Sequence, residues 1–337
     1  MTGHYSKCVL SVFVFKLFVS LIMKLLLTGS YSYTNDQLKH LAGLGYQISM
    51  LPEERITDGL DVADIEVVVC NNLFRHTDID KFKSLKLVQL TSAGTDKFPV
   101  DYIEKAGIRL ETARGVYSIP IAEWVVLKIL EISKKSRYFY SAQQQHNWQK
   151  ERNLTELAGK TAAIIGYGSI GIETAKRLQA FDVKITAVDS RIPEPEEMKW
   201  VHNLQLPEQL DATLSKSDIV VFTLPLTEQT HHLMNRQRLE LMKNDALLIN
   251  VSRGAIIDEQ ALIAVLQQNK FAGVALDVFE EEPLAANSPL WDFDNVLVTP
   301  HNAFVSAKNH QRLFDLVLNN LSAYAKKLPN EIPADIA

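Results

Sequence analysis

The sequence predicts two α/β units, each a parallel sheet covered by helices on both faces. Three observations carry this. Short runs rich in Val, Ile and Leu alternate with amphipathic segments from Lys24 onward. The alternation pauses at one long helical stretch and restarts at Lys160. A chain of 337 residues also exceeds one ordinary core, so two domains are the natural division.

In the first unit the apolar runs are KLLLTG, YQISML, IEVVVC, LKLVQLTS and IRLET, between Lys24 and Thr112. Runs this short, apolar and β-branched read as buried strands. NDQLKHLAGLG between the first two has helical spacing, with Gly43 and Gly45 supplying the stop. IPIAEWVVLKILEISKKSRYFYSAQQ then reads as one long helix with Pro120 in its first turn, where a missing N–H does no harm. The second set is TAAIIG, VKITAVD, DIVVFTL, DALLINVS, FAGVALDVF and NVLVTP, and six strands with helices between them match a doubly wound dinucleotide fold. PEPEEMK, Pro193 to Lys199, reads as a solvated charged loop. The closing helical pattern from Ser306 to Lys327 is long enough to cross back onto the first unit, which would make that unit discontinuous.

Composition narrows the function classes. A formal net charge of −5, with no dense Lys/Arg run, argues against nucleic acid as the main partner. Two cysteines, Cys8 and Cys70, exclude a disulfide framework and a cysteine-built zinc cluster, and fit a reducing cytoplasm. The apolar stretch CVLSVFVFKLFVSLIM precedes what looks like a fresh start at Met23. Lys16 interrupts it, it is shorter than the ~20 residues of a membrane span, and no small-residue cleavage site follows. Residues 1–22 are therefore read as an extension outside the fold, with a degenerate signal or anchor or an extra packed element as alternatives, and the working domain starts at Met23 or Lys24.

GYGSIG, Gly166 to Gly171, follows the strand TAAII and opens a helix. Alone the pattern is weak; between strand and helix it marks a dinucleotide cradle. Gly166 permits the tight turn, Gly168 lets the pyrophosphate approach, and Gly171 lets helix and strand pack closely. Ser169 and Ile170 begin the helix, whose N-terminus offers unpaired N–H groups and a positive dipole end. About 20 residues on, Asp189 ends the next strand, where a carboxylate accepts from the ribose hydroxyls and repels a 2′-phosphate. NAD is thus favoured over NADP, although Arg191 two positions later would soften the preference. AGKT, Ala158 to Thr161, imitates a P-loop tail, but Leu154 stands where that motif requires glycine.

In an open parallel sheet the carboxyl ends of the strands border one crevice. ALLINVS leads into Arg253, GVALDVF runs past Asp277 to Glu282, and NVLVTP ends in His301. These types suit hydride transfer to a 2-oxo acid. A guanidinium fork holds a carboxylate and polarises the adjacent carbonyl. An imidazole donates or removes the proton at that oxygen, and an acid on the far ring nitrogen fixes the tautomer. His231 and His232 are adjacent, which suits a loop better than a metal site, and no metal is expected. His310, on the last amphipathic helix, reads as surface.

GYGSIG, NVSRGAIID, ALDVFEEEPL, SPLW and NVLVTPHNA together resemble the D-isomer-specific 2-hydroxyacid dehydrogenases, over nearly the whole chain after Met23. The resemblance implies a Rossmann NAD domain, residues 119–303, inserted in a flavodoxin-like substrate domain, residues 23–118 and 304–337, and a homodimer joined through the NAD domain. It assigns catalysis to Arg253, Glu282 and His301, and lays Leu224, Pro225, Thr230, Val251, Ser252 and Asp277 along the cofactor. It makes TSAGTD the substrate loop, with Ser92, Ala93 and Gly94 meeting the carboxylate. It also places Trp148 near the dimer contact. The chain departs from the family where Lys97, Phe98 and Pro99 replace an Asn-x-Asp pattern, and Phe74 and Arg75 stand near the expected pocket mouth. Glu282 disfavours the formate-oxidising branch. The implied substrate is a small D-2-hydroxy acid or 2-oxo acid, of the glyoxylate/hydroxypyruvate, phosphoglycerate or lactate kind. An NAD-sensing, corepressor-type binding protein on the same fold is the alternative.

Overall fold

The computed structural model describes residues 22–56, 61–96 and 98–327. Most of the N-terminal apolar stretch, with Cys8, and Lys97 of the substrate loop lie outside the described residues. The first sheet contains β1 (Met23–Leu27), β2 (Tyr46–Met50), β3 (Val67–Cys70), β4 (Leu87–Leu90) and β5 (Arg109–Glu111). All its pairings are parallel, in the order β2-β1-β3-β4-β5, so the topological switch lies between β1 and β3. The second sheet contains β6 (Thr161–Ile165), β7 (Lys184–Val188), β8 (Asn203–Gln205), β9 (Ile219–Phe222), β10 (Leu247–Asn250), β11 (Gly273–Leu276) and β12 (Val296–Val298). It too is wholly parallel, in the order β12-β11-β10-β9-β6-β7-β8, with its switch between β6 and β9. These are the two doubly wound parallel-sheet units expected.

Burial explains the continuous apolar runs. Every residue of β3, β4, β9, β10 and β11 is buried, because helices cover both faces. Each Leu, Ile or Val buried this fully contributes about 1.5–3 kcal/mol relative to exposure. The last helix, Asn309–Lys327, places Leu313, Phe314, Val317 and Leu321 against Leu25, Leu27 and Tyr46 of the first sheet. The Tyr46 hydroxyl donates to the Leu321 carbonyl at 2.9 Å, and Asn320 Nδ2 donates to the buried Gln89 at 2.7 Å.

Three expectations change. A seventh strand, β8, joins the second sheet; at three residues and with Asn203 exposed on the sheet edge, it lacks an apolar run. The long helix is two, Ser118–Ser133 and Ser136–Gln144, parted at Lys135, which is left-handed at φ 50°. Residues beyond the break hold it: the Thr155 N–H satisfies the Ser133 carbonyl at 3.0 Å, and Lys134 Nζ donates to the Thr155 carbonyl at 2.9 Å. The charged loop contains a helical turn, Pro195–Met198, in which Glu197 forms an ion pair with Arg191 at 2.7 Å. His310 is exposed, as expected, and stacks on Tyr31 with ring centroids 4.0 Å apart.

Candidate active site

The glycine turn is built as its spacing requires. Gly166 has φ 92°, and a Cβ there would lie 2.7 Å from the backbone N of Leu224. A Cβ on Gly171 would lie 2.5 Å from the Gly166 carbonyl oxygen, so helix Ser169–Gln179 can approach the strand only with glycine here. Gly168 differs: a Cβ would meet nothing within 4 Å, so its bare backbone faces open space. It is also the N-cap residue and brings no capping side chain, which leaves the N–H groups of Ser169 and Ile170 to an outside acceptor. The Asp189 carboxylate accepts from the N–H of Tyr167 at 2.6 Å and of Arg191 at 2.7 Å, fixing it beside the turn. On the opposite side of the turn, Leu224 abuts Gly166, and Thr230 Oγ1 donates to the Pro225 carbonyl at 2.8 Å, closing that loop on itself. Open backbone, an uncapped helix start and an acid on the neighbouring strand fit a dinucleotide.

Arg253 follows β10. Asn250 shapes the turn by donating from Nδ2 to the Arg253 carbonyl at 2.9 Å and accepting from the Ser252 N–H at 3.0 Å. The guanidinium reaches across to the loop after β4. Nε and Nη2 both donate to one oxygen of Asp96, at 3.1 and 2.7 Å, while Nη1 donates to the Ser252 carbonyl at 2.7 Å. Gly94 lies directly against this fork: a Cβ there would sit 2.0 Å from Nη2.

His301 follows Pro300 with φ 50°, a left-handed conformation that is strained for a side chain bearing Cβ by about 1–3 kcal/mol. Asp277 over-determines it. The His301 N–H donates to the Asp277 carbonyl at 2.7 Å, and the buried Asp277 carboxylate accepts from the Thr299 hydroxyl and from the N–H of Asn302 and Ala303 at 2.8 and 2.9 Å. The ring Nδ1 lies 2.9 Å from Glu282 Oε2, and the other Glu282 oxygen accepts from the Phe279 N–H at 3.2 Å. Nε2 is the nitrogen that Glu282 leaves over.

A cavity of about 360 Å³ joins the two sheets' loops. It is lined by Ser92, Ala93 and Gly94 from the first sheet, and by Ser169, Ile170, Val251, Arg253, Asp277 and His301 from the second. Glu282 reaches it through His301 and lines a separate apolar cavity behind. Gly166, Asp189, Leu224, Pro225 and Thr230 cluster at the glycine turn instead, and Ser252 contributes its carbonyl to Arg253. Phe74 packs edge-on against Phe98, which lines the cavity, whereas Arg75 is exposed and does not.

Sequence reasoning missed several participants. Asn71, Asn72, Tyr117 and Phe304 line the cavity; the first two could have been flagged as the residues that leave β3 at its carboxyl end. Glu54 carried no signal, yet its carboxylate accepts from the N–H of Asn71 and Asn72, both at 2.5 Å, and from the Thr28 hydroxyl at 2.8 Å. Asp96 was legible only as the acid of TSAGTD, not as the partner of Arg253. His231 and His232 stack on each other, and His232 Nε2 lies 2.8 Å from Glu280. Among the described residues, no helix is long and apolar enough to cross a membrane.

Residues 126–303 match the family described as D-isomer specific 2-hydroxyacid dehydrogenase, NAD binding domain. A glyoxylate reductase of Thermofilum pendens is 39% identical over 257 residues, covering 74% of either chain. A D-3-phosphoglycerate dehydrogenase of Methanocaldococcus jannaschii is 32% identical over 252 residues, covering 74% of this chain and 48% of its own length. Among solved structures, a glyoxylate reductase from Paecilomyes thermophila superposes with a TM-score of 0.79 at 26% identity, covering 90% of this chain and 96% of its own. The Aquifex aeolicus D-lactate dehydrogenase, complexed with NAD and lactic acid, gives a TM-score of 0.73 at 25% identity, covering 91% and 97%.

Proposed function

This chain belongs to the D-isomer specific 2-hydroxyacid dehydrogenases, and from that membership we propose that it interconverts a small 2-oxo acid and its D-2-hydroxy acid, with NAD as the preferred cofactor. The observation that carries the reading is the convergence of Arg253 and the His301–Glu282 pair on one cavity beside the glycine turn. Bound nicotinamide supplies the hydride for reduction and accepts it in the reverse direction. Glu282 orients the ring through Nδ1, so Nε2 can give a proton to the substrate's carbonyl oxygen on reduction and recover it on the way back. Arg253 presents Asp96 with its Nε/Nη2 edge and Ser252 with one Nη1 hydrogen, so the hydrogens at the Nη1/Nη2 end remain for the substrate carboxylate. Backbone N–H groups of Ala93 and Gly94 complete that anion site on this reading. Asp189, beside the ribose position, supports NAD over NADP.

Residues 23–118 and 304–337 would then bind substrate, and 119–303 the dinucleotide. A homodimer through the second part is consistent with the exposure of Trp148 and Tyr140, at 98% and 60%.

Because a Cβ at Gly94 would overlap Nη2 of Arg253, Gly94→Ala must displace the fork. A displacement near 1 Å costs about 10²-fold in kcat/KM. Steady-state kinetics alongside NADH titration should show that loss with cofactor affinity intact; an unaltered kcat/KM would contradict the carboxylate site.

The deciding experiment for the whole reading is turnover of glyoxylate, hydroxypyruvate, pyruvate, branched 2-oxo acids and phosphorylated 2-oxo acids with NADH and NADPH. Reduction of at least one is expected. Cofactor binding without turnover of any would favour the NAD-sensing alternative.

A further inference from the structure

Arg191, two positions after Asp189, runs against a preference for NAD. Its backbone N–H donates to Asp189, and its Nη2 donates to the Tyr167 carbonyl at 2.8 Å, so the guanidinium lies against the glycine turn itself. A free cation there would welcome a 2′-phosphate. It is not free. Nη1 donates to Glu197 Oε2 at 2.7 Å, and the same oxygen accepts from the Glu194 N–H at 2.9 Å.

The turn that carries Glu197 is fastened to the cradle from both ends. Pro195 starts it, the Glu197 carboxylate caps the Glu194 N–H, and the hydroxyl of the buried Tyr167 donates to the Glu197 carbonyl at 2.8 Å. Tyr167 is therefore tied to the same short helix through its hydroxyl, and to Arg191 through its carbonyl. The arrangement holds one anion, the Glu197 carboxylate, where the phosphate oxygens of NADP would compete for Arg191. The Arg191 hydrogen bond, followed by that of the Glu194 N–H, holds the Glu197 carboxyl below its usual range and so keeps it charged.

We propose that Glu197 is a cofactor-selecting residue: by occupying and neutralising Arg191 it denies a 2′-phosphate the cation beside the ribose, and Asp189 supplies repulsion at the same place. The inference rests on the dinucleotide reading of the glycine turn. It goes further in giving selection to a pair of residues on the segment after β7 and not to Asp189 alone.

Calorimetry with 5′-ADP and 2′,5′-ADP tests it without catalysis. In the wild type, 5′-ADP should bind and 2′,5′-ADP should bind more weakly. Glu197→Gln removes the charge and keeps the capping acceptor, while Glu197→Ala removes both. Both should raise the affinity for 2′,5′-ADP relative to 5′-ADP about tenfold, the worth of one freed charge-assisted hydrogen bond. Adding Arg191→Ala to either variant should abolish the gain. The NADPH/NADH ratio of kcat/KM should move in parallel. No change in the fragment ratio in both Glu197 variants would overturn the proposal. So would a gain that survives Arg191→Ala, since loss of a negative charge alone would then explain it. If the wild type bound neither fragment, the dinucleotide reading would fall first and this inference with it.

Discussion

His301→Asn is expected to lower kcat by about 10²–10⁴ and to leave the affinity for NADH unchanged. Asparagine is the informative replacement because His301 stands at φ 50°, a conformation asparagine tolerates better than most side chains. The Asp277 carbonyl and carboxylate can then hold the loop as before, through the backbone of residue 301 and the N–H groups of Asn302 and Ala303. What disappears is the ring whose Nδ1 rests on Glu282 and whose Nε2, on the proposed mechanism, would serve the substrate oxygen. Alanine would confuse this loss with backbone strain. Glu282→Gln should cost less, about 10–10² in kcat, because an amide still accepts from Nδ1 and orients the ring, though through a weaker, neutral hydrogen bond. Fluorescence titration with NADH and single-turnover rates separate the two effects. Full turnover in His301→Asn would remove the histidine from the chemistry and leave its position at the strand end unexplained.

Where the sequence was readable, and where it was not, follows from the distance over which each feature is decided. VVVC in β3 and LLIN in β10 are buried on both faces, and nothing but a continuous apolar run survives there. The glycine turn is largely local: Gly171 answers to a clash with the Gly166 carbonyl, Gly168 to open space and Gly166 to its φ of 92°, although Leu224 from a distant loop also closes on Gly166. Arg253, Glu282 and His301 were legible because strand ends in a parallel sheet share one edge. The partners that set their geometry were not. Asp96 lies 157 positions from Arg253, and no local pattern joins them. Glu54 serves Asn71 and Asn72 across 17 and 18 positions, and Glu197 looked like one solvated acid among several until the fold brought it to Arg191. The helix break at Lys135 has the same origin, since Thr155 and Glu151 accommodate it from the following segment. β8 escaped for another reason: an edge strand of three residues needs little apolar surface.

Arg253→Lys should be nearly as damaging as Arg253→Ala, with each losing about 10²–10³ in kcat/KM. The charge is the same in lysine, so a role based on charge alone predicts a mild effect. Shape predicts otherwise. The guanidinium makes three bonds in fixed directions, two to one oxygen of Asp96 and one to the Ser252 carbonyl, and these orient the end that faces the cavity. An ammonium is a single point donor that would settle on Asp96, leaving the substrate carboxylate without a planar partner. Arg253→Ala carries an added penalty, because the Asp96 carboxylate then loses its guanidinium partner while standing beside the incoming anion. Asp96→Asn in the alanine background should therefore recover part of the loss, whereas in the wild-type background it should raise KM by loosening the fork. Steady-state kinetics of the four variants, with NADH affinity as a control, resolve the pair as a double-mutant cycle. Near-normal turnover in Arg253→Lys would mean that the fork does not hold the carboxylate, and the substrate would have to be anchored by the backbone of Ala93 and Gly94 alone.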